Sequence, residues 1–206
     1  MRILLVGASG TIGRAVAAAL RRRYDIVEAS RHKSRERVDL TDEDSIRYLY
    51  HHLGRIDAVV CAAGQAAFKR LDDLTDQDFA FSFRSKLMGQ VNLVRVGINE
   101  VNDGGSFTLT SGILAQQPSP GSSAVSLVNA GVEAFARAAA LELPRGLRIN
   151  VVSPPWVSET LRAMGRDPAG GLPAAEVATS YVESVEGTQT GAVIVPGRQT
   201  RGASYS

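Results

Sequence analysis

Ile3-Leu4-Leu5-Val6-Gly7-Ala8-Ser9-Gly10-Thr11-Ile12-Gly13-Arg14 lies near the start of the chain and decides its fold. Four apolar residues in a row read as a strand covered on both faces. Ile12, Val16 and Leu20 then recur at helical spacing. Three glycines, at 7, 10 and 13, stand between strand and helix. Glycine there permits a tight turn, close approach of the backbone to a diphosphate, and close packing of helix on strand. The helix start adds unpaired N–H groups and a positive dipole end. A glycine triplet alone is a weak signal, but in this strand–turn–helix position it points to a dinucleotide. Gly7, Ser9, Gly10, Thr11, Ile12, Gly13 and Arg14 are the residues expected against its phosphates.

Beyond this turn, short apolar runs alternate with helical patterns. Ile26-Val27 begins a second strand, and Ala58-Val59-Val60-Cys61 is a third. Thr41-Asp42-Glu43-Asp44 starts a helix, with acids where a helix N-terminus favours them. A long helical region runs from about Asp76 to about Asn99. Ser106–Thr110, Leu147–Val152 and Ala192–Val195 read as further strands, and Val125, Val128, Val132, Phe135 and Ala139 form one apolar helix face. This alternation predicts a single Rossmann-type α/β domain over residues 1–197. It is a doubly wound parallel sheet of about seven strands, with helices on both faces. Residues 198–206 are expected to be a polar tail.

The second strand ends Glu28-Ala29-Ser30-Arg31. Sites that prefer NAD carry an acid there to bind the ribose hydroxyls. Ser30 takes that place, and the Arg31 guanidinium can grip a 2′-phosphate by paired hydrogen bonds. Arg14 is a second cation nearby. The sequence therefore favours NADP(H) over NAD(H), with Glu28 expected to point elsewhere.

Bulk properties exclude other classes. A length of 206 residues supports one full core. The formal net charge of +2 implies no polyanion surface, and no basic stripe carries interleaved aromatics, so nucleic acid is not expected as a partner. The one cysteine, Cys61, lies in an apolar run and reads as packing, which suits a reducing cytoplasm. The three histidines, His32, His51 and His52, lack metal-ligand spacing. No leader and no membrane-spanning stretch is read.

At this point the chain resembles the short-chain dehydrogenase/reductase family over nearly its whole length. Val38-Asp39-Leu40-Thr41 resembles the family's adenine-contact segment. Cys61-Ala62-Ala63-Gly64 resembles the strand that ends in Ala-Gly, and Thr110-Ser111-Gly112 the strand carrying the active-site Ser. Arg148 to Val157 resembles the segment beside the nicotinamide, with Pro155 in place of Gly. The resemblance adds Asp39, Leu40, Ala62, Ala63, Gly64, Pro154, Trp156 and Val157 to the expected cofactor contacts. It also implies a homodimer or homotetramer through the two long helices.

The catalytic motif of that family, Tyr and then Lys four residues on, is missing. The resemblance puts Val125 at the Tyr position and Asn129 at the Lys position, and there is no Tyr between Tyr50 and Tyr181. The family also uses an Asn on the preceding helix, and Lys86 stands there within Lys86-Leu87-Met88-Gly89. Lys86 and Asn129 thus read as an exchanged amine and amide at one pocket floor. Lys86 would bind a ribose hydroxyl or a water, or relay a proton, and Ser111 would hydrogen-bond a carbonyl oxygen. Ser111, Lys86 and Asn129 are the expected catalytic residues. Gln65, Phe68, Ile113, Leu114 and Trp156 follow strand ends, where a mainly apolar pocket is expected. The function implied is reduction of a small carbonyl, imine or activated alkene by NADP(H). The alternatives are an NADP(H)-binding sensor or partner subunit without redox activity, and a non-redox isomerase or cyclase.

Overall fold

The structure is a computed structural model that describes residues 1–197. The tail expected at 198–206 lies outside the described residues. Seven parallel strands form one sheet in the order β3-β2-β1-β4-β5-β6-β7. They are β1 Arg2–Val6, β2 Asp25–Ser30, β3 Glu36–Arg37, β4 Ile56–Cys61, β5 Val101–Thr110, β6 Arg148–Val152 and β7 Val193–Ile194. The helices are α1 Thr11–Leu20, α2 Glu43–Leu53, α3 Asp76–Ser82, α4 Gly89–Gly97, α5 Ser123–Ala139, α6 Ser158–Ala163 and α7 Ala174–Glu186.

Alternate residues of β1 explain the layering. Leu4 and Val6 pack with Ile46 and Leu49 of α2, Leu93 of α4 and Val132 of α5. Ile3 and Leu5 pack with Val16 and Leu20 of α1 and with Val177 and Tyr181 of α7. Each strand side chain is thus covered whichever way it points, as the unbroken apolar run requires. The expected doubly wound α/β sheet is observed.

Three elements differ from the reading. The region expected as one long helix is α3, a π-helical turn over Phe83–Met88, and then α4. The two-residue β3 lies in the basic run after Arg31, where polarity hid it. Helix α7, which covers α1 and β5, had no assignment in the sequence. Its Tyr181 hydroxyl lies 2.6 Å from Thr110 Oγ1, tying helix to strand.

The strand order reverses between β1 and β4. Successive connections diverge there, and the carboxyl ends of these strands flank an open crevice.

Candidate functional site

A cleft of about 430 Å³ occupies that switch point. Gly7, Ser9 and Gly10 after β1 line it, with Ser30 and Arg31 after β2, Asp39 and Leu40 after β3, and Ala62, Ala63 and Gly64 after β4. These are ten of the expected cofactor contacts. Val38 and Thr41 of the segment that resembles the adenine contact also line it, as do His32, Phe81 and Ser85, which were not anticipated. The β2–β3 loop had to be placed beside the glycine turn before His32 could be seen to face it.

The glycine turn has a physical necessity. Gly7 sits at φ 88°, and a Cβ on it would meet the Ala62 carbonyl oxygen at 2.6 Å. A Cβ on Gly13 would drive into the Gly7 carbonyl. Thr11, Ile12 and Gly13 therefore form the first turn of α1 behind the cleft rather than its lining. Gly10 caps that helix with no side-chain bond, leaving the N-terminal amides for a ligand. Arg14 is corrected: its Nη1 donates to the Ser9 carbonyl at 2.7 Å, bracing the turn instead of facing the Arg31 region.

At the end of β2, the Ser30 hydroxyl accepts from the amides of Lys33 and Ser34 at 3.0 and 2.8 Å. Arg31 pairs with Asp39 at 3.0 Å. Burial raises the Asp39 carboxyl, but hydrogen bonds from Thr41 and the charges of Arg31 and His32 outweigh it, leaving a lowered pKa. Glu28 pairs with Arg21, away from the cleft.

Farther along the sheet edge, Ser111, Lys86 and Asn129 come together. The π-helical turn faces Ser85 and Lys86 inward, and π turns recur at functional positions. The Ser85 hydroxyl accepts from the Gln65 amide at 3.0 Å, and Ser82 from the Ala67 amide at 2.9 Å, so this helix fixes the loop after β4. The Lys86 stem passes beneath Gly64, whose added Cβ would meet its Cδ at 2.9 Å. Its Nζ reaches the Ser111 carbonyl at 3.4 Å. The amine is buried, and that burial lowers its pKa from 10.5 to about 8, a nearby Cys61 thiol opposing the shift. Burial raises the Cys61 thiol to about 11.

Gln90 was missed by sequence reading. Fully buried, it donates to the Lys86 and Thr110 carbonyls at 3.0 and 2.9 Å and accepts from the Thr110 amide at 2.8 Å. It locks the π turn to the end of β5.

Asn129 is 3% exposed, and its Oδ1 has no hydrogen-bond partner among the described residues. A Cβ on Gly112 would lie 3.1 Å from its Nδ2, which places the amide against the Ser111–Gly112 corner. An orphaned buried acceptor is costly and calls for an external donor.

Ser111 is not the free donor anticipated. Its hydroxyl donates to Glu133 Oε1 at 2.8 Å. Ser153 donates to the same oxygen at 3.1 Å, and Gln116 to Oε2 at 3.0 Å. Glu133 is 3% exposed and had no assigned role. Its signal was available: Asn129 and Glu133 are four residues apart, and an acid beside Val132 breaks an apolar face.

Pro154, Trp156 and Val157 do not line the cleft. Pro154 is buried and its carbonyl accepts from the Ile113 amide at 2.9 Å, while Val157 bridges to Leu172. Of the expected pocket residues, Gln65 lines the cleft. Phe68 and Trp156 meet edge to face at 6.3 Å beyond it, with the Arg166 guanidinium 5.4 Å above the Trp156 ring. Ile113 and Leu114 sit half-buried in a short helical turn.

Among the described residues no group of histidine, cysteine or acidic side chains could hold a metal, and no helix is long and apolar enough to cross a membrane.

The chain is similar to several known proteins. It is 44% identical to the protein lin1944 of Listeria innocua, with a TM-score of 0.91 over 95% of this chain and 98% of that one. A small-chain dehydrogenase solved in complex with NADPH is 25% identical, with a TM-score of 0.83 over 95% of each chain. The hydroxynaphthalene reductase arp2 of Aspergillus fumigatus is 29% identical over 182 residues, which are 77% of this chain and 67% of that protein. The family model described as Enoyl-(Acyl carrier protein) reductase matches residues 7–194. The glycine turn, the switch-point cleft and these matches together show that the chain belongs to the short-chain dehydrogenase/reductase family of oxidoreductases.

Proposed function

We propose that this protein is an NADP(H)-dependent oxidoreductase that reduces a small carbonyl, imine or activated alkene. The observation that carries the reading is the buried Oδ1 of Asn129, which has no hydrogen-bond partner among the described residues and lies on a side chain packed against the Ser111–Gly112 corner after β5. A nicotinamide ribose hydroxyl is a donor of the kind this acceptor lacks. The amides of the glycine turn would hold the diphosphate, and Arg31, with His32 beside it, the 2′-phosphate. Asp39 and Leu40 would flank the adenine, and Ala62, Ala63 and Gly64 the ribose side. Pro154, Trp156 and Val157 would meet the nicotinamide end only as a shape-forming wall.

When bound, such a cofactor supplies the hydride; the chain supplies orientation and the proton. Lys86 would hold a ribose hydroxyl or a water with its amine, Asn129 would fix the ribose, and Ser111 would face the reacting oxygen. The buried Cys61 takes no part.

Exposed apolar residues support a homodimer or homotetramer through the long helices. Phe83, Met88 and Leu127 are 37, 39 and 48% exposed there. A single buried cysteine suits a reducing cytoplasm.

Titration of the protein with NADPH and NADH, followed by NADPH consumption with small aldehydes, ketones, cyclic imines and enones, tests the proposal. Tighter binding of NADPH and turnover of one substrate class are expected. The Val at position 125, where the family has its Tyr, favours a second reading, a cofactor sensor or partner subunit. Tight NADPH binding with no turnover would establish that reading. Substrate conversion without NADPH consumption would instead identify an isomerase or cyclase.

A further inference from the structure

Beyond the cleft, the carboxyl edge of the sheet carries a cation that the cofactor reading does not use. We propose that the substrate bears a carboxylate, and that the Arg166 guanidinium binds it beside the Trp156–Phe68 pair. The inference rests on the proposed redox function and names its substrate class.

Three segments at that edge meet on two rings. Phe68 belongs to the segment after β4, three residues beyond Gln65, which lines the cleft. A Cβ on Gly121, in the segment before α5, would lie 3.1 Å from the Phe68 ring, so that segment packs against it. Trp156 follows β6 and meets Phe68 edge to face at 6.3 Å. The contact holds the indole at a fixed tilt.

The backbone sets Arg166 over that ring. Gly165, at φ 71°, turns the chain at the end of α6, and the Arg166 amide reaches back to the Leu161 carbonyl at 2.8 Å. The lobe then closes on its own base. The Leu172 amide donates to the Trp156 carbonyl at 2.8 Å, and a Cβ on Gly171 would meet that carbonyl at 2.8 Å. Trp156 and Arg166 thus share one closed lobe, with the guanidinium carbon 5.4 Å from the indole centroid.

A guanidinium over a ring spends its face and keeps its N–H edge. The cations of the segment after β4 spend theirs on acids: Lys69 Nζ bonds both Asp78 oxygens at 2.7 and 2.9 Å, and Arg70 pairs with Asp72 at 3.0 Å. Asp167, the acid next to Arg166, instead accepts from the Ala169 amide at 2.9 Å. Among the described residues no carboxylate pairs with Arg166. Its open edge matches a planar oxyanion, which takes paired hydrogen bonds.

The span from the reaction corner is that of a small molecule. Ser153 shares Glu133 Oε1 with Ser111 and stands three residues before Trp156. Three residues reach at most about 10 Å. The Ile113 amide bonds the Pro154 carbonyl at 2.9 Å, so the segments after β5 and β6 run together between the corner and the rings. A substrate with a reducible group at one end, an apolar body and a carboxylate at the other end fits that span.

Trp156 is the chain's one tryptophan, so its emission reports on this site. Benzoate should change that emission saturably, with and without oxidised NADP, and benzamide should bind about 10-fold more weakly or worse. Arg166→Gln should bring benzoate down to the level of benzamide. Arg162→Gln, which removes an equal charge from α6 of the same lobe, should stay within about threefold of the parent. In turnover, para-formylbenzoate should have a KM about 10-fold below that of its primary amide. Arg166→Gln should erase the difference while kcat stays within about threefold. Equal binding of benzoate and benzamide, no saturable response to benzoate, or an Arg166→Gln loss confined to NADPH affinity overturns the carboxylate site while the redox function stands. Arg166-dependent benzoate binding in a protein that consumes no NADPH with any substrate supports the site and overturns the redox function.

Discussion

The Nη2 of Arg31 lies 3.0 Å from the Oδ2 of Asp39, joining the end of β2 to the segment after β3 across the mouth of the cleft. The Arg31 side chain remains 60% exposed, so its guanidinium holds the acid with one edge and keeps donors free. The pair orients a cation directly after Ser30, the residue that takes the place of the acid in an NAD-preferring site.

Removing that cation should separate the two cofactors. Arg31→Ala is expected to weaken NADPH about 10-fold or more, the scale of a charge-assisted phosphate contact. NADH should change by less than about threefold, since only the 2′-phosphate is read by charge. Parallel fluorescence titrations with the two nucleotides check this, and equal losses would refute it.

Lys86 should cost stability in the unliganded protein. Its pKa falls from 10.5 to about 8 on burial, equivalent to about 3 kcal/mol against the folded state at neutral pH. Lys86→Met keeps the volume without the charge and is expected to raise stability and lose turnover. The sign with pH follows. Between about 8 and 10.5 the unfolded chain binds more protons than the folded one, so the parent gains stability as pH rises. The advantage of Lys86→Met over the parent should therefore shrink between pH 7 and pH 10. Urea denaturation at several pH values gives the gap, and a gap that widens with pH contradicts the assignment.

Asn129→Leu removes a buried acceptor that has no partner among the described residues. The unliganded melting temperature should stay level or rise by about 2–4 °C, while NADPH binds about 5- to 10-fold more weakly. An ordinary packing Asn would show the opposite pattern, with lower stability and unchanged binding.

Gly64→Ala should damage both the fold and the cleft. Gly64 lies at φ 117°, and the added Cβ would press on the Lys86 stem. A loss of about 2 kcal/mol or more in denaturant unfolding is expected. Pairing it with Lys86→Ala, which removes the Cδ contact, should recover only part of the loss, since the Cβ would still meet the Lys86 Cα at 3.0 Å and the positive φ remains.

The fold was readable because its signals are local. The apolar runs at Ile3–Val6 and Ala58–Cys61 and the glycines between strand and helix each report on a few neighbouring residues. The ten cleft residues followed, since strand ends in a parallel sheet share one edge. Glu133, Gln90 and the two-residue β3 did not follow in the same way. Glu133 and Gln90 are defined by partners distant along the chain, Glu133 by Ser111 and Ser153 and Gln90 by Thr110, while β3 is a short polar strand set only by its register on the neighbouring β2. Lys86 and Asn129 were placed near Ser111 by the resemblance, but the direction of the Ser111 proton depended on an acid whose burial only the packing reveals.

The wide turn over Phe83–Met88 has a consequence for how this helix can vary. It carries one residue more than an α turn, so the half beyond it is rotated by about 100° relative to an uninterrupted helix. A chain one residue shorter in that stretch would straighten the rod and swing Gln90 away from Thr110, even with every side chain retained. The spacing of the segment, rather than its composition, sets what the crevice meets at its base.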